Sequence, residues 1–285
     1  MPSRFTMLGI LAFWLIASGW LFYRDIWPSL KPGEPTPFVI DLSDEANARA
    51  SQIRWKVLKN GEEKGYALTY VQNNSAEGTY RLNCEYKFFS AGRYNQKEAD
   101  QVITSAYGVT SEGNLRDFQV SIIFRANSTV IVEGEIRGKV EKQQFTPKIF
   151  LRIPLKHEQT LAPVQVSTYG SVLNPLQPLN RLPRIRLGQR WRIPLVDPLS
   201  DTFKAQPLFK VIPNSTPEVP WLDAEVLSDL QKVKWGQDQD QEALCLVIEY
   251  HGDDVVGHTW VRAEDFLVIK QELSRQGETL TLVRE

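Results

Sequence analysis

Residues 251–265 are rich in histidine and carboxylate side chains, the residue types that a metal site or an acid–base pair needs. They are His251, Asp253, Asp254, His258, Glu264 and Asp265. In the expected hairpin, His258 lies within a strand, and the acidic residues lie in the turns at its two ends. Because a strand rises about 3.3 Å per residue, these turns lie roughly 30 Å apart. The spacing therefore favours solvated turns, and we expect no metal site and no catalytic residue.

The most basic stretch of the chain is RLPRIRLGQRWRI, residues 181–193, which contains no acid. Its cations are Arg181, Arg184, Arg186, Arg190 and Arg192. Guanidinium groups bind phosphates through paired hydrogen bonds, so this stretch is a candidate docking patch for lipid headgroups or an acidic partner. Apolar residues alternate with the arginines, however, and this alternation favours an amphipathic strand pair with a wet outer face.

The two cysteines, Cys84 and Cys245, leave two alternatives open. In an oxidising compartment they would form one disulfide that closes a long loop, whereas two separate buried thiols fit the pattern equally well. A catalytic pair does not fit this spacing. The chain also lacks the nucleophile elbow, the P-loop, the dinucleotide fingerprint and the HExxH motif. We therefore expect no cofactor, and an enzyme, such as a hydrolase with an unrecognised site, ranks third among the functional hypotheses.

The composition excludes several classes of protein. With 42% hydrophobic and 24% charged residues, the 285-residue chain has the composition of a folded protein rather than a disordered one. The net charge is −1, and this near-neutral balance argues against a nucleic-acid-binding protein.

The N-terminal segment is typical of a membrane anchor. Residues 5–23, FTMLGILAFWLIASGWLFY, contain no charge and span about 28 Å as a helix, which matches the hydrocarbon thickness. Positive charge precedes the segment, which predicts cytoplasmic residues 1–4 and a single pass through the inner cell membrane. A Pro-rich linker would follow at residues 24–37, and residues 38–285 would form the extracytoplasmic domain. The alternative is a signal peptide cleaved near Ala17-Ser18-Gly19.

The rest of the chain is expected to be mainly β, with one or two short helices. A helix is expected over residues 44–52, after the capping residue Ser43. A hairpin corner is expected at Asn60-Gly61, and strands at YRLNCEYKFF, FQVSIIF and STVIVEGEIRGKVEK, where apolar residues alternate with polar ones. NQKEADQVITSAY and PEVPWLDAEVLSDLQKVKW fit either a helix or a strand; for the second, strand is favoured. The pattern predicts a curved antiparallel sheet, either a half-barrel or barrel-like.

Four segments carry a resemblance to a known superfamily. They are NGEEKGYALTYV, SAYGVTSEGNLRDFQV, LGQRWRIPLVDP and GHTWVRAEDFLVIKQELSRQGETLTLVRE. Together with the membrane-targeted N-terminus, this meander resembles the periplasmic half-barrels typified by the lipoprotein carriers LolA and LolB. The chain departs from those carriers in its anchor, because they are soluble or lipid-anchored. A stationary role at one membrane follows more readily than shuttling between two membranes.

The resemblance implies a concave apolar face that would hold acyl chains. Its lining would include Tyr80, Tyr86, Phe88, Phe118, Phe124 and Val132, unless these residues simply form the core. The leading hypothesis is therefore a membrane-anchored binding protein for a lipid or an acylated cargo such as a lipoprotein. The alternative is a non-catalytic envelope scaffold that docks another envelope protein.

Overall fold

In the computed structural model of the chain, antiparallel strands form nearly all the regular structure that is described. The structure describes residues 13–20, 42, 52–74, 78–89, 100–110, 115–126, 129–141, 144–145, 148–152, 159–160, 166–167, 179–182, 185–194, 221–236, 240–275 and 277–285. The strands are β1 (Ile53–Lys59), β2 (Glu62–Asn74), β3 (Thr79–Phe88), β4 (Gln101–Thr110), β5 (Leu115–Ala126), β6 (Thr129–Glu141), β7 (Gln144–Phe145), β8 (Lys148–Arg152), β9 (Gln159–Thr160), β10 (Val166–Ser167), β11 (Arg190–Pro194), β12 (Trp221–Val226), β13 (Gln231–Trp235), β14 (Gln241–His251), β15 (Val255–Arg262), β16 (Val268–Arg275) and β17 (Glu278–Arg284).

The first hairpin forms at the predicted corner. Asn60 and Gly61 lie between β1 and β2 with φ angles of 52° and 81°. Positive φ at both central residues is the requirement of the tight turn that matches the strand twist, and Asn-Gly meets it at little steric cost. The predicted hairpin is confirmed.

Strand β1 joins the two halves of the sheet. It pairs antiparallel with β2 on one side and with β17 on the other, so that Val57 lies opposite both Gly65 and Leu282. From β2 the sheet continues through β3, β4, β5, β6, β8 and β9. From β17 it continues through β16, β15 and β14 to β12 and β11, and β13 pairs with the other half of β14. The result is a long, open antiparallel meander.

The sheet curls where β13 ends. The backbone N–H of Gly236 donates a 3.1 Å hydrogen bond to the carbonyl oxygen of Arg284, the last residue of β17. Strands β14, β15 and β16 lie between β13 and β17 in the sheet order. A direct bond across three intervening strands requires that this half of the sheet bend round on itself.

The two faces of the sheet differ in polarity because successive side chains alternate. We call the face of Trp55 and Val57 the inner face and the opposite one the outer face. The main core lies on the inner face and draws on strands on both sides of β1, including Leu82, Val109, Phe118, Val120, Ile136, Ile248, Val268 and Leu282. A smaller cluster on the outer face of β14 to β16 contains Cys245, Val247, Trp260, Leu267 and Ile269.

The ambiguous segments resolve as strands where they are described. The segment 95–107 enters β4, and the segment 217–235 forms β12 and β13, as favoured from its sequence. Residues 228–230 interrupt the second segment and are exposed, while β12 and β13 lie end to end along β14. The helix predicted over residues 44–52 lies outside the described residues, apart from Gln52, which is in neither a helix nor a strand.

The predicted anchor is described only over residues 13–20, which form a helix. Its side chains Phe13, Trp14, Ile16 and Trp20 are exposed. Within the described part of the chain, no helix combines the length and the apolar character that crossing a membrane requires. The anchor over residues 5–23 and the linker over residues 24–37 remain predictions.

Gly65 provides a test of the register; it lies beside a bulge in β2, where the pairing with β1 passes from Val57–Gly65 to Leu58–Glu63. A Cβ added at Gly65 would overlap the backbone carbonyl oxygen of Lys87 on β3, and backbone atoms cannot move aside as a side chain does. We expect Gly65→Ala to lower the free energy of unfolding by about 3 kcal/mol. The matched control is Gly277→Ala, where nothing lies within 4 Å of the added atom but φ is +81°. It should lose only about 1 kcal/mol through backbone strain. Urea denaturation measures both, and equal losses would contradict the register of β2 against β3.

Candidate functional site

The six predicted lining residues all lie on the inner face, but at different depths. Phe118 is 2% exposed and belongs to the core, where its ring occupies the space left by the missing side chain of Gly138. Tyr80 lies at the start of β3, at the far end of the sheet from Phe88. The remaining four, Tyr86, Phe88, Phe124 and Val132, lie together near the end where β3 and β5 finish and β4 and β6 begin.

Burial on this face decreases row by row toward that end. The deepest of the three rows runs across β3 to β6 through Cys84, Ser105, Val120 and Ile136, and its two aliphatic residues are at most 3% exposed. The next row contains Tyr86, Ile103, Ile122 and Gly134, all half-buried. The last contains Phe88, Gln101, Phe124 and Val132, and Phe124 is 37% exposed. Successive rows are about 6.6 Å apart, so the face opens to solvent over roughly 13 Å.

We call the apolar residues of the last two rows the inner patch: Tyr86, Phe88, Ile103, Ile122, Phe124 and Val132. Ile103 did not emerge from the sequence because its segment fits a helix as well as a strand. Ile122 lies on the predicted apolar side of its strand and differs from its buried neighbour Val120 only in depth. Gly134 brings no side chain to the row of Ile122.

Tyr86 links the inner patch to the core. Its ring stacks on that of Phe88 with centroids 6.0 Å apart. Its hydroxyl is buried and hydrogen-bonds to the Cys84 thiol. Burial raises the pKa of Tyr86 well above its usual range and raises the pKa of the Cys84 thiol to about 12. Neither the Tyr86 hydroxyl nor the Cys84 thiol is therefore ionised at neutral pH.

The two cysteines lie on different strands and on opposite faces of the sheet. Cys84 is on the inner face of β3 and Cys245 is in the outer-face cluster on β14. Both are free and buried, so the structure has two thiols rather than one disulfide. Burial raises the pKa of the Cys245 thiol to about 11. Neither thiol has the depressed pKa of a reactive cysteine.

The arginine-rich stretch is partly neutralised by the neighbouring strand. Arg190 forms a 2.7 Å ion pair with Glu225, and Arg192 forms a 2.8 Å ion pair with Asp223, both across β11 and β12. The guanidinium carbon of Arg192 also lies 5.8 Å from the ring centroid of Trp221. Arg181 and Arg186 are exposed, and Arg184 lies outside the described residues. Arg190 and Arg192 therefore lie on the polar outer face of the strand pair β11 and β12.

The candidate acid–base set divides between two ends of the sheet. Asp253 and Asp254 precede β15, whereas Glu264 and Asp265 follow it. Asp254 pairs with Arg275 at 2.9 Å, and Asp265 forms two hydrogen bonds with Arg262 at 2.7 and 2.8 Å. The Arg262 guanidinium holds the pKa of the Asp265 carboxyl below its usual range. Asp254 and Asp265 therefore stabilise the turns at the two ends of β15.

Glu249 brings the two remaining members of the set together. One of its oxygens lies 3.1 Å from Nε2 of His251 and the other 3.3 Å from Nε2 of His258, on the outer face of β14 and β15. The sequence analysis missed Glu249: its alternation with Ile248 and Tyr250 indicates the polar face, but only the register across the hairpin places it opposite His258. In the described part of the chain, no group of three or more histidine, cysteine or carboxylate residues is arranged to hold a metal ion.

In comparisons with known proteins, no family model matches the chain, and no curated protein matches it. Among solved structures, one similar chain is a β-barrel-like protein of a domain of unknown function, DUF1849, from Brucella abortus. The two are 10% identical with a TM-score of 0.38, over 82% of this chain and 95% of the other. The likeness to LolA and LolB stays a prediction.

The buried thiols predict a specific labelling pattern. In the native protein at pH 8, both cysteines should react with a chromogenic disulfide reagent at least about a hundredfold more slowly than free thiols, because burial raises both pKa values. Unfolding in denaturant without reductant should then release two reactive thiols per chain. Zero thiols after unfolding would show instead that Cys84 and Cys245 are bonded.

The contacts of Glu249 predict a dependence of stability on pH. Hydrogen bonds from His251 and then from His258 lower its pKa in the folded protein, so the carboxylate is stabilised by folding. That contribution is present above its unfolded pKa of about 4.3 and is lost as the pH falls through the lowered value. Glu249→Gln should therefore lose less than about 1 kcal/mol at pH 6, and the difference from the unsubstituted chain should vanish in acid. Urea denaturation between pH 3 and about 6 measures it, and a constant difference would contradict the pairing.

Proposed function

We propose that this protein is a non-catalytic binding protein that holds an acyl chain of a lipid or a lipoprotein on the inner patch. The observation that carries the proposal is the decrease in burial along one apolar face. Val120 is 1% exposed in the deepest row, whereas Phe124, two rows further on, is 37% exposed. Apolar side chains that continue past the point where the core covers them present a hydrocarbon surface for a ligand.

The chemistry of the rows favours an acyl chain over a polar ligand. The three rows across β3 to β6 contain no charged residue, so nothing in them would compensate the burial of an ionic headgroup. Gln101 lies between Phe88 and Phe124 in the outermost row. Its amide is placed to hydrogen-bond the ester or carboxyl group of a ligand whose tail points toward Val120.

The expected location supports the same function. An anchor at residues 5–23 would hold the domain beside the inner membrane, whose lipids carry acyl chains. The scaffold alternative gains less support, because Arg190 and Arg192 already pair with carboxylates on β12. In that alternative, the ion pairs of Arg190 and Arg192 would have to break before the arginine-rich stretch could bind an acidic partner.

A fluorescent fatty acid tests the proposal. Ile122→Asn replaces a half-buried inner-patch side chain and should weaken binding of the probe about tenfold or more, because burying isoleucine is worth about 1.5–3 kcal/mol. The matched control is Leu244→Asn, since Leu244 is a 50% exposed aliphatic residue at the opposite end of the sheet. Its affinity for the probe should stay unchanged.

The experiment uses the full chain in every variant, so that any binding by the N-terminal segment is common to all. Urea denaturation midpoints for both variants establish that the sheet remains folded. Equal affinity of the Ile122→Asn variant and the unsubstituted chain would exclude the inner patch as the binding site. Loss of affinity in the Leu244→Asn variant alone would place the site at the other end.

A further inference from the structure

A short chain of hydrogen bonds is buried on the inner face of β14, β15 and β16. Nε2 of Gln271 donates a 3.2 Å hydrogen bond to Oγ1 of Thr259, which lies directly opposite it across β15 and β16. The Thr259 hydroxyl is in turn hydrogen-bonded to the hydroxyl of Tyr250. Burial raises the pKa of Tyr250 to about 12, so this phenol is uncharged at neutral pH. The chain therefore consists of three neutral polar groups within the core.

This chain ends at an acceptor that lacks a partner. Oε1 of Gln271 is buried, and no residue that the structure describes donates a hydrogen bond to it. Gln271 as a whole is only 6% exposed, so bulk solvent does not supply a donor either. Reversing the amide would not remove the deficit, because its N–H donors would then occupy the same position. Buried polar groups that lack a protein partner are typically satisfied by an ordered water.

The two hydroxyl groups of the chain leave one proton unused. Tyr250 and Thr259 each carry one hydroxyl proton, and the hydrogen bond between them uses one of the two. Because Tyr250 and Gln271 both contact Thr259, the phenol oxygen and the amide nitrogen lie within about two hydrogen-bond lengths of each other. A molecule that accepts the unused proton and donates one to Oε1 would satisfy both groups at once.

The neighbours of Gln271 restrict the occupant to a small neutral molecule. Leu282 lies opposite Gln271 on β17, and Val57 lies opposite Leu282 on β1; both are buried. Neither they nor Thr259 could compensate the burial of a charge, which excludes an ionic donor. Close-packed protein interiors contain few spaces larger than a water molecule. Water meets both conditions, because it is neutral and can donate and accept at the same time.

We propose that Gln271 holds an ordered internal water, which donates a hydrogen bond to Oε1 and accepts the unused hydroxyl proton of Tyr250 or Thr259. This inference goes beyond the proposed function, because Gln271 is on β16 whereas the inner patch is on β3 to β6. A buried polar network supports a fold only when all its members are satisfied. The water would complete such a network in the core that the two meanders share.

Nuclear magnetic resonance of the threonine methyl groups tests the proposal. The full chain is deuterated in deuterated detergent micelles, with protons only in the threonine methyl groups and at exchangeable positions. Cross-relaxation from water protons to each methyl group is then measured. The matched control is Thr69 on β2, which is also buried and whose Oγ1 also accepts a side-chain N–H, that of Trp55 at 2.9 Å. Exchange of a threonine hydroxyl proton with water therefore contributes similarly to both residues.

We expect a cross-peak at the water frequency for the Thr259 methyl group and none for the Thr69 methyl group. Gln271→Met keeps the length of the side chain and removes the acceptor, so it should abolish the Thr259 cross-peak. An unshifted Thr69 methyl resonance establishes that this variant folds. The two threonines are compared within the unsubstituted chain, so the test stays decisive even where the variant does not fold.

Three results would overturn the proposal directly: no cross-peak at Thr259, equal cross-peaks at both threonines, or a Thr259 cross-peak that persists in a folded Gln271→Met chain. A cross-peak from Thr259 to non-exchangeable protons of a co-purified molecule would also overturn it, because the occupant would then be an organic ligand. None of these results depends on whether the inner patch binds the fatty acid probe.

Discussion

The whole sheet depends on the two pairings of β1. Because β1 joins β2 on one edge and β17 on the other, the first and last described strands form a continuous surface. Trp55 lies at this junction, fully buried, and its indole N–H donates a 2.9 Å hydrogen bond to Oγ1 of Thr69. Arg54 pairs with Glu285 beside it. This junction holds the meander from β2 and the meander from β17 in one register, so their inner faces share one core.

That shared core also determines which part of the inner face stays exposed. Side chains on the inner face pack against each other as long as strands from both meanders supply neighbours. On β3 to β6 the last two rows keep their apolar character while burial declines, and Tyr86, Phe88 and Ile103 still pack against the edge of the core. How much of the apolar face is exposed therefore depends on the position along the strand.

Alternation predicts which face a residue occupies but carries no information on depth. The sequence analysis therefore identified the faces of β3 and β5 correctly, and it grouped Phe118 with Phe124 although one is core and the other exposed. Glu249 contacts His251 on its own strand, but its contact with His258 depends on cross-strand register, which the turn at residues 252–254 sets and which single-strand periodicity does not show. The local Asn60-Gly61 turn was predictable because its two φ requirements lie within one dipeptide.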